Sequence, residues 1–187
     1  MTVELINSPV LETERLTLRL PRLEDLDIVT EFINSDRSRF VRPAEVDKGM
    51  PFRVLSMFVG MWALRGYGLF ALCPKGSDKM IGAVGPWHPT HWPEPELGWS
   101  IYDPAYEGKG LAREAALATR DYAFDVLGWE TAVSYIHKEN VASIKLAEAL
   151  GCTLDPEADN MDDDNTLVYR HPAPSPDDDD GSQEAYA

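Results

Sequence analysis

A glycine-rich turn is the stretch of this sequence whose residue types are best suited to chemistry. Its six residues lead directly into a long run of apolar positions at helical spacing: Glu107, Gly108, Lys109, Gly110, Leu111 and Ala112. The first amides of a helix have no intrahelical acceptor, and the helix dipole places positive potential there. Glycine also lets a phosphate approach the backbone closely. The turn therefore predicts an anion site.

Two common phosphate-binding patterns do not fit this turn. The P-loop pattern GxxxxGK[ST] is absent, and Gly108-Lys109-Gly110 lacks the third glycine of the dinucleotide pattern GxGxxG. A plainer alternative is that Gly110 only begins the helix. Lys109 could likewise be a solvated loop lysine, although its charge would still favour a nearby phosphate.

The turn follows a strand and precedes a helix. Residues 96–102 alternate, with Leu97, Trp99 and Ile101 on one side, which predicts a strand with one apolar face. Asp103-Pro104 ends that strand, because proline cannot donate to a ladder. The helix is predicted over 111–127, with Gly128 at its carboxyl end.

The remaining pattern predicts an α/β chain of the α+β type. A mixed, mostly antiparallel central sheet is flanked by helices. Predicted strands cover 13–20, 69–73, 80–84, 131–137, 152–154 and 166–171, and predicted helices cover 23–34, 51–65 and 141–150. Gly85-Pro86 is expected to end or bend the third strand, and 87–95 is expected to be a loop. Residues 1–171 are expected to form one domain, and 172–187 an acidic disordered tail.

Composition narrows the class of protein. The net charge of −15 argues against a nucleic-acid partner. Much of that charge lies after residue 154, where eleven carboxylates accompany only Arg170, and such a run is usually solvated. Cys73 and Cys152 provide neither a disulfide framework nor a metal-ligand cluster, which indicates a reducing cytoplasm. We see no signal peptide and no apolar run of membrane-spanning length, so no membrane partner is expected.

Two motifs in this order resemble the GNAT superfamily of N-acetyltransferases. Gly110 and Ala112 fill the fourth and sixth places of its acyl-CoA loop, Q/R-x-x-G-x-G/A, while Glu107 departs from the first place. We expect Glu107 to face solvent or a basic neighbour. A second block, N-x-x-S-x-x-L-x-x-x-x-G-F, matches 140–152, with Cys152 where phenylalanine is usual. The fuller run ELGWxIxxPxxxGKGLAxEA is most similar to the RimJ/RimL-like branch, and the resemblance covers about 11–171.

The resemblance implies a cleft for acetyl-CoA between the fourth and fifth predicted strands, 96–102 and 131–137. Pantetheine would bind near the backbone of Ile101 and Tyr102, and the pyrophosphate on the amides of Gly108, Lys109, Gly110, Leu111 and Ala112. Asn140 and Ser143 would contact the pantetheine arm. Asn140 could equally cap the following helix, and Ser143 could be an ordinary first-turn residue.

The implied reaction moves an acetyl group to a primary amine by direct attack in a ternary complex. The amine belongs to a protein N-terminus or a small molecule. Glu96 lies at the spacing of the superfamily's general base, and desolvation could raise its pKa to suit that role. A structural role for Glu96 is the alternative. Ala147 stands where many members place a tyrosine acid, so Ser143, or less directly Tyr102, would protonate the leaving thiolate.

The loop after the third strand provides candidates for acceptor binding. The candidates for contact with the acceptor are Trp87, His88, His91, Trp92 and Trp99. Trp87, His88 and Trp92 are expected to line the pocket, with packing on the first helices as the alternative for these two tryptophans. Trp99 is expected in the core. No third ligand accompanies His88 and His91, so no metal is expected. His88 is the alternative base if Glu96 is structural.

A catalytically silent CoA-binding or partner-binding domain of the same fold is the competing hypothesis. Its support is Glu107 in the loop and the missing tyrosine at Ala147. The expected partners are a small-molecule or peptide amine acceptor. The sequence leaves open whether the chain forms a homodimer.

Overall fold

The computed structural model describes residues 8–173, which pack around one sheet. Its eight strands are β1 (Leu11–Glu12), β2 (Leu16–Arg19), β3 (Phe70–Pro74), β4 (Gly82–Trp87), β5 (Glu96–Ile101), β6 (Val133–His137), β7 (Thr153–Leu154) and β8 (Thr166–Arg170). The α-helices in this range are α1 (Leu26–Ile33), α2 (Met50–Arg65), α3 (Leu111–Asp121) and α4 (Val141–Ala149). The predicted fold class, a mixed sheet flanked by helices, is confirmed.

The sheet has the strand order β1-β2-β3-β4-β5-β6-β8-β7. Every neighbouring pair is antiparallel except β5 and β6, which run parallel and pair only at Glu96 and Val133. Ser134 Oγ donates to the carbonyl oxygen of Leu97 at 2.6 Å, just beyond that pair. From there towards their carboxyl ends, β5 and β6 diverge and leave a cleft in the middle of the sheet.

Apolar side chains cover both faces of the sheet. One cluster joins the sheet to α3 and α4, and it includes Leu18, Phe70, Leu72, Ala115 and Ala147. The other joins the sheet to α1 and α2, and it includes Val29, Phe32, Leu55, Phe58 and Trp87. Burying each large apolar side chain stabilises the fold by about 1.5–3 kcal/mol. The two faces together fix the positions of the diverging strands.

The third predicted strand does not end at Gly85-Pro86. β4 continues to Trp87, with Gly85, Pro86 and Trp87 paired to residues of β5. Beyond Val84 the strand has no partner on β3, so Pro86 is not required to donate on that side. Proline is tolerated at such an edge-like position.

Two other boundaries also differ from the predictions. The first predicted strand, 13–20, is the second arm of a short hairpin, because Thr13 donates to Leu16 and turns the chain between β1 and β2. α3 ends at Asp121, and a wider turn over Tyr122–Val126 follows, with the amide of Leu127 donating to the carbonyl of Tyr122 at 3.1 Å. Of the predicted acidic tail, 172–187, only Pro172 and Ala173 fall within the described residues.

Candidate active site

A cavity of about 1010 Å³ occupies the cleft between β5 and β6. Its walls come from α1 and α2, the loop after β4, the turn after β5 and the start of α4. Eleven of the residues predicted for the site line it: Trp87, Trp92, Glu96, Ile101, Tyr102, Gly108, Gly110, Leu111, Ala112, Asn140 and Ser143. His88 and Lys109 are not among the lining residues.

The glycine turn presents unpaired backbone donors at the start of α3. Within the described chain, the amides of Gly108, Lys109, Gly110, Leu111 and Ala112 make no hydrogen bond to another protein group. Gly108 and Gly110 have φ of 68° and 76°, a region that favours glycine. Arg15 braces the turn, with Nη1 donating to the carbonyl oxygen of Lys109 at 2.9 Å and Nε paired with Glu114 at 2.6 Å. The turn is therefore a preformed cradle for an anion.

The side chain of Lys109 points away from this cradle. Its ammonium nitrogen lies 5.3 Å from the centre of the Tyr106 ring, and the residue is exposed. The backbone of Lys109 therefore belongs to the cradle, whereas its side chain packs outside the cavity.

Glu107 faces a basic neighbour, as the sequence led us to expect. Its carboxylate is about half exposed and forms an ion pair with Arg37. Arg37 lies in the turn Asp36–Ser38 that follows α1, and it also lines the cavity. Sequence reasoning missed Arg37 because residues 34–48 carry no periodic pattern, and Arg37 is one of several arginines there.

Glu96 lies where β5 and β6 meet, with its carboxylate in the cavity. Trp92 donates from Nε1 to Oε2 of Glu96 at 2.6 Å. Burial raises the pKa of Glu96 to about 7, although hydrogen bonds from Trp92 and from the backbone of Tyr135 both lower it. A carboxylate with a pKa near neutrality can exchange a proton at physiological pH.

Asn140 and Ser143 lie together at the start of α4. The Asn140 side-chain oxygen accepts from the amide of Ser143 at 3.2 Å, so Asn140 caps the helix. The side-chain NH₂ of Asn140 donates to no other group in the described residues. Trp99 donates from Nε1 to Ser143 Oγ at 3.3 Å, which leaves the Ser143 hydroxyl proton available.

The match to known proteins covers most of the chain. A family model described as the acetyltransferase (GNAT) domain matches residues 15–153. The chain belongs to the GNAT acetyltransferases. It is 28% identical over 143 residues to a curated Bacillus licheniformis protein named an uncharacterized N-acetyltransferase p20, a match that covers 75% of this chain and 80% of that protein.

Solved structures also resemble this GNAT chain. A crystal structure of an acetyltransferase from Agrobacterium tumefaciens is 37% identical with a TM-score of 0.82, covering 92% of this chain and 97% of that one. The ribosomal-protein-S5-alanine acetyltransferase from Vibrio fischeri shares the fold at 24% identity, with a TM-score of 0.64 and coverage of 86% and 94%.

The position that many GNAT enzymes give to a tyrosine acid is apolar here. Ala147 is fully buried in the core against α3 and cannot donate a proton. Tyr102 is also buried, and it stacks on Phe32 with ring centres 4.2 Å apart. Burial raises the pKa of Tyr102 above its usual range, so the phenol keeps its proton at neutral pH.

The aromatic loop residues of this GNAT site have distinct positions. Trp87 is buried, packs edge-on against Phe58 at 5.9 Å and still lines the cavity. Trp92 is half-buried and holds Glu96. His88 lies outside the cavity, with Nε2 at 3.3 Å from the carbonyl oxygen of Trp92, so its predicted contact with the acceptor has no support in this geometry. His91, exposed beside Trp92, lines the cavity instead.

Trp99, predicted to lie in the core, does pack against the core next to α3 and α4, but it also lines the cavity.

Tyr135 of β6 is a lining residue that sequence reasoning missed. Its ring lies edge-on to Trp92 at 6.3 Å, and burial raises its pKa to about 12. The alternation of the predicted strand 131–137 does not single out Tyr135, because Ser134, Tyr135, Ile136 and His137 all line the cavity.

The described residues contain neither a metal-ligand cluster nor a membrane-spanning helix. No group of three His, Cys, Asp or Glu side chains between residues 8 and 173 could hold a metal ion. Cys73 and Cys152 are buried free thiols. None of the helices in this part of the chain has both the length and the apolar character needed to cross a membrane.

Proposed function

We propose that this protein is an acetyl-CoA-dependent N-acetyltransferase that acetylates a primary amine by direct attack within a ternary complex. The observation that carries the proposal is Glu96, a carboxylate with a pKa of about 7 that lines the same cavity as the glycine turn. GNAT domains use acetyl-CoA as co-substrate. We also place the chain in the RimJ/RimL-like branch, because of the run that begins at Glu96.

The residues of the cleft fit a CoA thioester. Unpaired amides at Gly108, Gly110 and Ala112 suit a pyrophosphate, and the helix dipole of α3 adds positive potential. The backbone of Ile101 and the free NH₂ of Asn140 could bind the amides of a pantetheine arm. When bound, acetyl-CoA supplies an acetyl group activated as a thioester.

Glu96 would accept the proton that the amine must lose. Burial raises its pKa to about 7, so the carboxylate is a stronger base than an exposed glutamate and still ionises near neutral pH. The hydrogen bond from Trp92 fixes the carboxylate orientation and favours its ionised form. The structural alternative predicts no dependence of turnover on Glu96 ionisation.

Ser143 is the proposed hydrogen-bond donor to the sulfur of the leaving thiolate. Because Trp99 donates to Ser143 Oγ, the serine hydroxyl can direct its proton into the cavity. A thiolate is already a fair leaving group, so a hydrogen bond from Ser143 to the departing sulfur is sufficient, solvent supplies the proton, and Ala147 need not be a tyrosine. Tyr102 is a second, protonated donor, and it lines the cavity from the side of α1, where it stacks on Phe32.

The lining near Glu96 supports an amine attached to an apolar group. Trp87, Trp92 and Phe58 form aromatic walls, and Val54 and Met57 of α2 extend them. Met57 is about half exposed, which suggests that the apolar surface continues to the cavity mouth. An apolar acceptor would cover this surface, while Glu96 would interact with its amine.

Calorimetry with acetyl-CoA, followed by a thiol-release assay over an amine panel, tests the proposal. The panel pairs aromatic and aliphatic primary amines with polyamines, and it includes short peptides with free N-termini because one structural neighbour is a ribosomal-protein-S5-alanine acetyltransferase. We expect binding and turnover, fastest with apolar amines. Binding without turnover on any amine would instead favour a silent CoA-binding domain.

We further propose a cytoplasmic location and an amine as the only class of acceptor. Two free, buried thiols support a reducing compartment. The net charge of −15 opposes binding to nucleic acid or to an anionic membrane surface, and it favours the approach of a cationic amine.

A further inference from the structure

Arg37 joins three parts of the cleft. Its guanidinium donates to the carbonyl oxygen of Ile101 at 2.7 Å, to that of Tyr102, and to the carboxylate of Glu107. Ile101 ends β5, and Glu107 begins the glycine turn, so one side chain from the α1–α2 connection spans the entrance to the anion cradle. Arg37 also lines the cavity.

Four cationic side chains surround this turn in an otherwise acidic protein. Arg15 forms an ion pair with Glu114 and donates a hydrogen bond to the Lys109 carbonyl oxygen. The Lys109 ammonium lies over the Tyr106 ring. Arg113 donates from Nε to the Ala149 carbonyl at 3.3 Å, on the α4 side. Arg37 is the one that bridges the end of β5 and the turn.

The guanidinium of Arg37 retains free capacity. It has five N–H groups, and the hydrogen bonds to Ile101, Tyr102 and Glu107 use three of them. The N–H of Nε and one N–H of Nη1 have no partner in the described residues. Its resident carboxylate is exposed, with 53% of the Glu107 side chain accessible. An exposed ion pair is worth little, so Glu107 can turn to water at small cost.

A phosphate would be the stronger partner for this guanidinium. Arginine binds phosphate through paired N–H donors, and such charge-assisted bonds exceed ordinary ones in strength. The carbonyl contacts with Ile101 and Tyr102 hold the planar group in place beforehand, which reduces the entropy lost on binding. The cradle amides begin at the residue immediately after Glu107.

We propose that Arg37 anchors the pyrophosphate of CoA and that Glu107 holds Arg37 in the free protein until that phosphate displaces it. The inference rests on the proposed binding of acetyl-CoA. It also accounts for the departure at position 107, since the positive charge that a first-place arginine would supply comes from another element. The carboxylate then competes with the ligand, so Glu107 weakens CoA binding.

Calorimetry with CoA on four variants tests this exchange. Arg37→Met should raise the Kd for CoA about tenfold or more, and Arg37→Lys should raise it by less, because a lysine keeps the charge but not the paired donors. Glu107→Gln should lower the Kd several-fold. Arg39→Met is the matched control, because Arg39 is exposed in the same connection and packs on Phe40; its Kd should equal that of the wild type.

Pantetheine, which carries no phosphate, separates charge recognition from cleft shape. None of the four variants should change its affinity. In the double variant Arg37→Met/Glu107→Gln, the gain from Glu107→Gln should disappear, because the carboxylate acts only through Arg37. Thermal unfolding of each variant checks that the fold is kept, and Arg37→Lys decides the matter if the methionine variant is unstable.

Three outcomes overturn the inference. They are an unchanged Kd for CoA in Arg37→Met, a weaker affinity in Glu107→Gln, and an equal loss for pantetheine and CoA. CoA that fails to bind the wild-type protein would overturn the proposed function itself. CoA that binds the wild type and Arg37→Met alike would overturn only the role of Arg37.

Discussion

Glu96 and Glu107 lie at the two ends of one segment, eleven residues apart, and both line the cavity, but their burial and their partners differ. Glu96 is desolvated in the cavity, and among the described residues it receives hydrogen bonds from Trp92 and the Tyr135 backbone but pairs with no cation. Glu107 is half exposed and paired with Arg37. The first carboxylate is therefore able to take up a proton near pH 7, whereas the second acts through its fixed charge.

The difference shows that position within the cleft, and not residue type, decides what a carboxylate does. Burial without a cation raises the pKa of Glu96, because the charged form loses water and gains no opposite charge. An arginine beside Glu107 balances the charge that would otherwise repel a phosphate. The substitutions at Gly110, Glu96 and Trp92 each affect one end of the segment 96–107 and leave the other end unchanged. Removal of 174–187 affects neither end.

Gly110→Asp should have the largest effect, because it places a side chain and a negative charge among the free amides of the cradle, even though Arg15 Nη2 would lie 3.6 Å from the new Cβ. The new side chain also needs φ near 76°, which strains any non-glycine residue. Calorimetry should detect no binding of acetyl-CoA. Gly76→Asp is the matched control, since Gly76 has φ of 77° and open space around it, but lies in the turn between β3 and β4. Equal affinity in both variants would place the phosphate elsewhere.

Glu96→Gln should lower turnover by roughly a hundredfold or more, the scale expected for loss of a general base. Ionised Glu96 is the active form, so the wild-type rate should rise with pH up to a pKa of about 7 and then level off. This acid limb should flatten in the variant, while acetyl-CoA affinity stays nearly constant.

Two further variants isolate the Glu96 effect. Glu107→Gln should retain the acid limb, because the titrating group is at the other end. Glu130→Gln, an exposed substitution with the same loss of charge, should behave as wild type. A near-full rate with an unchanged limb in Glu96→Gln would make Glu96 structural.

Trp92→Phe should have a smaller effect, because it moves the pKa of Glu96 without removing the carboxylate. The lost hydrogen bond stabilises the ionised form, so its removal raises the pKa above about 7. Hydrogen bonds to charged groups contribute about 1.5–3 kcal/mol, which corresponds to roughly one pKa unit or more. The acid limb should therefore shift to higher pH, and Trp99→Phe, which affects Ser143, should leave it in place. A limb that moves to lower pH would contradict the assignment.

Removing 174–187 should have the smallest effect, because the five carboxylates there act only through net charge. These residues lie outside the described part of the chain, and Tyr186 is their one large apolar side chain. We expect turnover and the melting temperature to stay within error of the full chain at moderate salt. A large loss of thermal stability would show that this segment packs on the domain.

The sequence was informative wherever periodicity or turn chemistry was strong. The alternation of residues 96–102 predicted β5, and Asn140 with Gly151 marked both ends of α4. Of the two alternatives at Gly85-Pro86, the end of the strand is wrong, because one-sided pairing of β4 is a property of the sheet and not of the local sequence. The wide turn over Tyr122–Val126 has no local signal either.

In the candidate site, too, local sequence patterns predicted some residues and could not predict others. Motif positions such as Gly110 and Glu96 could be selected from spacing alone, and both line the cavity. Arg37 and Tyr135 could not, because their roles depend on which elements the fold brings beside β5. The pKa of Glu96 is likewise a tertiary property, set by burial that no local pattern reports.

The single pair between β5 and β6 has a mechanical consequence. Glu96 sits at the vertex of two diverging strands, where Glu96 and Val133 are paired. If the two halves of the sheet rock apart to admit a bulky ligand, displacement grows with distance from that vertex and is smallest at the vertex itself. The base would then stay in register with the reacting atoms while the far end of the cleft, at Tyr102 and the glycine turn, widens. With Glu96 as the proposed base, its place at the vertex would keep proton transfer precise while the entrance of the cleft moves.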